Sequence, residues 1–110
     1  MQPSQEFINT AIEYVQDMIS HGLFGYPVTG IRFQVQYEPS TEQLRLLKVS
    51  PGQTLLGMYS SNPPTVTLFE KGIRAVIMYP EQMPDTVDEV LRHEIYYHHL
   101  GYNHTAREGP

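Results

Sequence analysis

Residues 91–104, LRHEIYYHHLGYNH, place four of the chain's five histidines, His93, His98, His99 and His104, within twelve positions. No other stretch restricts the local backbone so strongly. His93-Glu94 calls for a second His four positions after the first, on the same face of a helix, but position 97 is Tyr and the next histidine is His98. At about 100° per residue, side chains five apart diverge by about 140° on a regular α-helix. A π-bulge, in which one turn pairs residue i with i+5, absorbs the extra residue and returns both imidazoles to one face with Glu94 between them. Either the helix changes pitch here or the two rings point apart.

His-Glu-x-x-His on a helix is a zinc-binding pattern in which the Glu serves as general base. A hydrolytic zinc site needs three protein ligands, an open position, and a carboxylate that takes a proton from water. His93 and His98 are the first two candidate ligands. His98-x-x-Gly101-x-x-His104 reads as a helix that ends at Gly101 and turns back to offer His104 as the third, leaving Glu94 as the base. Distorting a few hydrogen bonds is a small penalty beside structural zinc binding, on the order of 10 kcal/mol. Three alternatives stay open. His99 lies six residues from His93 and needs a larger distortion. Tyr97 holds the i+4 position, but a phenol of pKa about 10 is a poor ligand at neutral pH. Lastly, His and Tyr residues crowd helix C-termini for dipole and packing reasons alone.

Composition narrows the chemistry further. The chain has 110 residues, 40% of them hydrophobic, and no cysteine. That is enough chain for one domain with a core and excludes thiolate catalysis, Cys-ligated zinc and disulfides. Any metal must sit on His, Asp, Glu or Tyr. Twelve acidic residues against seven basic ones, with no Lys/Arg cluster, argue against nucleic acid or an anionic membrane surface as partner. The N-terminal MQPSQEFINT has neither a basic nor an apolar targeting region, and no apolar run approaches the roughly 18 residues of a membrane span. A soluble cytoplasmic protein is the expectation.

Along the chain, Ser4 is placed to cap a helix over about residues 5–21, with apolar Ile8, Ala11, Ile12, Val15, Met18 and Ile19 at three- and four-residue spacing and Gly22 at its end. His21 falls in the last turn of that helix, where a cation complements the dipole. Ile31, Phe33, Val35 and Tyr37 alternate with Arg32, Gln34, Gln36 and Glu38, the pattern of a half-buried strand ended by Pro39. Residues 41–53 read as irregular. Thr54 to Tyr59 and Thr65 to Phe69 read as an antiparallel hairpin. Ile73 to Tyr79 fits a strand or a buried turn, and as a sheet edge it is a candidate contact with a second chain. Thr86 and Glu89 have capping-box spacing and predict the start of the last helix, whose stripe Val87, Val90, Leu91 and Ile95 also reaches Glu94 and His98.

The chain resembles the minimal zincins, small bacterial zinicin-like metallopeptidases whose His-Glu-x-x-His-x-x-Gly-x-x-Asp/His motif often doubles its second His, as His98-His99 does here. The likeness extends upstream, where Leu55-Leu56-Gly57-Met58-Tyr59 and Thr65-Val66-Thr67-Leu68-Phe69 are similar to the segment and strand before the family's zinc helix, and covers about residues 50–104. The interval between Glu94 and His98 is one residue longer than the family's. The resemblance implies an α+β fold, with a small mixed or antiparallel sheet packed against an N-terminal helix and a C-terminal metal-binding helix. It also implies one zinc ion per chain on His93 and His104, with His98 as the middle ligand if a bulge absorbs the extra residue, Glu94 as general base, and a peptide or protein substrate. Tyr96, Tyr97 and Tyr102 are candidate oxyanion donors. The alternative function is a catalytically inactive metal-binding or interaction module on the same scaffold.

Overall fold

The structure, a computed structural model, describes residues 1–23 and 25–101. Helix α1, Gln5–His21, begins where Ser4 Oγ accepts the Phe7 amide, and it stops at Gly22, whose φ of 73° suits a residue without Cβ. Its buried face is Phe7, Ala11 and Met18, while Ile12 and Ile19 stay largely exposed. His21 closes the helix as expected, 3.1 Å from the Asp17 carboxylate one turn back.

Strand β1 is Arg32–Gln36, and β2, Gly57–Ser61, forms an antiparallel hairpin with β3, Pro64–Phe69. The sheet is mixed: β3 lies in the centre, parallel to β1 and antiparallel to β2. From Thr65 to Phe69 every residue of β3 is buried, so this strand carries no polar–apolar alternation. Helix α4, Met83–His93, contributes Val87, Val90 and Leu91 to the core and packs against α1 and β3. The fold is α+β, in agreement with the sequence expectation.

Three local expectations are corrected. The stretch after Pro39 is not wholly irregular, because helix α2, Thr41–Leu46, occupies its start. Ser40 Oγ accepts the Gln43 amide at 3.1 Å and Gln43 Oε1 accepts the Ser40 amide at 2.8 Å, a reciprocal capping box. The Gln43 and Gln36 side-chain amides then exchange two hydrogen bonds that tie α2 to β1. Second, Ile73 to Tyr79 is neither strand nor sheet edge: helix α3 spans Glu70–Val76, and the sheet ends at β1 and β2. Third, α4 does not start at Thr86. A 3₁₀ turn over Pro80–Gln82 leads into Met83, and the Thr86 hydroxyl donates to the Gln82 carbonyl from inside the helix. Pro84 fits that first turn, where its missing N–H loses no bond. Among the described residues no helix is long and apolar enough to cross a membrane.

Helix α3 is fastened by a buried carboxylate. Glu70 accepts the Ser4 amide, the Ser4 hydroxyl and the Arg74 Nε–H, each at 2.7 Å. Although burial pushes the Glu70 carboxyl up, these donors hold it below its ordinary 4.5. The stability it contributes is therefore present above pH 4.5 and is lost as pH falls below it, through the lowered value of the folded protein. Glu70→Ala is expected to cost about 2–4 kcal/mol in urea unfolding at pH 7. The gap to wild type should narrow below pH 4.5.

Candidate metal centre

Helix α4 does not end at His93. It runs on as a π-helix over Glu94–His99, and the Leu100 amide donates to the Ile95 carbonyl at 2.8 Å, an i to i+5 bond. The wider turn takes up the residue that separates His93 and His98 from the regular spacing. Their ring centroids lie 5.4 Å apart, and the ligand atoms of His93, Glu94 and His98 all lie within 4.8 Å of one another.

The three groups sit in different environments. Glu94 is only 6% exposed, packed where the π-helix meets β2 and β3, whereas the His98 side chain is 43% exposed. The stripe extrapolated from Val87 thus holds for Ile95 and Glu94 but not for His98, which the wider turn carries to the surface. His98 Nε2 is 3.8 Å from Glu94 Oε1. Burial pushes the Glu94 carboxyl up to about 7, because a low-dielectric pocket disfavours its charged form. At that value it exchanges protons readily near neutral pH.

Two clefts meet at this cluster. One, of about 360 Å³, is bounded by Lys48, Met58 and Tyr59 with His93, Glu94 and His98. The other, of about 530 Å³, is more apolar and is bounded by Leu55, Leu56, Val76 and Val90 with His93 and Glu94. Strand β2 borders both through Gly57. It is an edge strand, and among the described residues no strand pairs with its outer side.

Gly57 makes this approach feasible. A Cβ there would meet Val90 Cγ1 at 2.8 Å and the Thr67 carbonyl oxygen at 3.0 Å, with Glu94 Cγ at 3.7 Å. Glycine within a strand marks such close packing. Gly57→Ala is expected to lose about 1–3 kcal/mol on thermal unfolding, through the forced displacement of α4. An unchanged melting temperature would contradict the contact.

The other candidates take different places. Tyr97 lies with its ring centroid 5.0 Å from that of His93, as a neighbour of the first imidazole. His99 is not in the cluster; its Nδ1 is 2.9 Å from the Tyr59 hydroxyl. Gly101 has φ +81°, a left-handed turn at the end of the helix. His104 and Tyr102 lie outside the described residues. Gly57 and Tyr59 enter the sequence reading only within the Thr54 to Tyr59 strand and the Leu55 to Tyr59 likeness, with no role assigned; a glycine inside a strand pattern is the signal that marks a close approach. No protein-family model and no curated protein sequence matches this chain.

Proposed function

We propose that this chain is a zinc-dependent hydrolase, a metallopeptidase by class, with His93 and His98 as ligands, His104 as the third, and Glu94 as general base. The observation that carries this reading is the convergence of His93, Glu94 and His98, whose ligand atoms lie within 4.8 Å of one another beside an open cleft. Two imidazoles and a carboxylate without thiolate suit zinc. His93 and His98, whose ligand atoms lie within 4.8 Å of each other and of Glu94, would hold the ion. Bound zinc acidifies water and polarises a carbonyl.

The chain's own groups do the rest. Glu94 accepts the proton of the attacking water and hands it to the leaving amine. Its burial excludes competing solvent and matches its proton affinity to neutral pH. The outer edge of β2 offers backbone donors and acceptors along the clefts, and an extended peptide pairs with such an edge as an added strand.

A second reading, a metal-binding module without hydrolytic activity, is favoured by one observation. The Glu94 carboxylate belongs to the cluster itself, 3.8 Å from His98 Nε2, where it can act as a ligand. Zinc content and hydrolysis of a broad peptide panel, measured on wild type and Glu94→Gln, separate the two. A variant that keeps zinc and loses hydrolysis supports the hydrolase. A silent wild type whose zinc is lost in Glu94→Gln supports the module.

A further inference from the structure

His99 is adjacent to a proposed ligand yet is held by a different element. Its Nδ1 is 2.9 Å from the Tyr59 hydroxyl on β2, and the two rings meet edge to face with centroids 5.7 Å apart. Tyr59 also bounds the cleft shared by His93, Glu94 and His98. We infer that the Tyr59–His99 pair holds the π-register of Glu94–His99 and is thereby the positioning element for His98; the consequence for the metal rests on the site proposed above.

The coupling follows from helix geometry. Returning this turn to α-register rotates every later residue by about 100°. His98 then swings away from His93, and in the same rotation His99 leaves Tyr59. A change of register moves both side chains together, because they are consecutive on one backbone. The wider turn starts without a side-chain cap hydrogen bond, and the left-handed Gly101 follows one residue after the Leu100 amide closes it on Ile95. A hydroxyl on a rigid strand that reaches only one of the two registers selects between them. Residues that hold a ligand in place without touching the metal typically change affinity by about 10–100-fold when lost.

Tyr59→Phe removes the hydroxyl and keeps the ring. His99→Leu removes the imidazole nitrogen, and His99→Asn retains a hydrogen-bonding group close to the position of Nδ1. Each is measured for zinc affinity by chelator competition, for the cobalt(II) visible spectrum, and for amide hydrogen exchange at Leu100 in metal-free protein. Tyr59→Phe and His99→Leu are expected to weaken zinc about 10–100-fold and to shift the cobalt bands. Leu100 exchange should speed up about tenfold in both. His99→Asn should stay within about threefold of wild type in affinity, a rescue that mere loss of ring packing would not give. Wild-type affinity, spectrum and exchange in Tyr59→Phe overturn the inference, as does a lowered melting temperature with an unmoved cobalt spectrum and unmoved Leu100 exchange. A wild type that takes up neither zinc nor cobalt overturns the metal-site reading. The exchange result then decides the register claim by itself: faster in Tyr59→Phe upholds it, unchanged overturns it.

Discussion

Replacing His98 with alanine is expected to lower zinc affinity by two to three orders of magnitude while leaving the rest of the molecule folded. Zinc binding worth about 10–16 kcal/mol over four ligands assigns about 3 kcal/mol to each, and each 1.4 kcal/mol is tenfold. His98 is 43% exposed, so its truncation removes little packing, and surface changes of this kind usually stay within about 0.5 kcal/mol of wild-type stability. The loss is therefore specific to metal. Chelator competition and the zinc content of tag-free protein by plasma mass spectrometry measure it, with His99→Ala alongside. His99→Ala is expected to fall only about 10–100-fold, since His99 contacts Tyr59 and is proposed to support the ligand and not to be one. Equal affinity in His98→Ala and wild type would remove His98 from the site. Equal and complete loss in both variants would remove the distinction between ligand and support.

The second large effect concerns Glu94, and its sign depends on pH. With its carboxyl raised from 4.5 to about 7, the folded metal-free protein keeps a proton between those values that the unfolded chain has released. The stability contributed by the neutral carboxyl is therefore fully present below pH 4.5, falls as pH rises through that window, and is gone above about 7. At about 1.4 kcal/mol per pH unit, the loss is about 3 kcal/mol. The amide that Glu94→Gln introduces does not titrate, so the stability difference between variant and wild type should shift by that amount in the variant's favour from pH 4.5 to about 8. Urea unfolding in the presence of a chelator reads it. A difference independent of pH would mean that Glu94 is already ionised in the fold. In zinc-loaded protein the same variant is expected to lose hydrolysis by about 10²–10⁴-fold, the usual contribution of a general base.

Local periodicity explains which elements could be read without coordinates. Helix α1 carries its own cap, stripe and stop at Ser4, Ala11, Met18 and Gly22, all governed by contacts within four residues. The β2–β3 hairpin declares itself through β-rich runs flanking Ser60 to Pro64. That His93 and His98 can share a face only if the helix widens also follows from spacing alone. By contrast, α2 hid behind Pro39-Ser40, which ends a strand and starts a helix at once.

The rest was decided by contacts that no local pattern records. A β-rich run from Ile73 became the second half of a helix because Glu70 is anchored by Ser4, 66 residues away, and because α3 presses so close to Leu55 that a Cβ on Gly72 would clash with its carbonyl oxygen. Gly57 and Tyr59, which border the cleft at His93, Glu94 and His98, come from β2, and Tyr59 meets His99 across 40 positions of chain. Sequence determined which groups are available for chemistry, since imidazole and carboxylate identity needs no fold. Tertiary structure decided how far apart they stand, which of them are buried, and that a strand residue meets the π-turn at His99, because those depend on packing between segments remote along the chain.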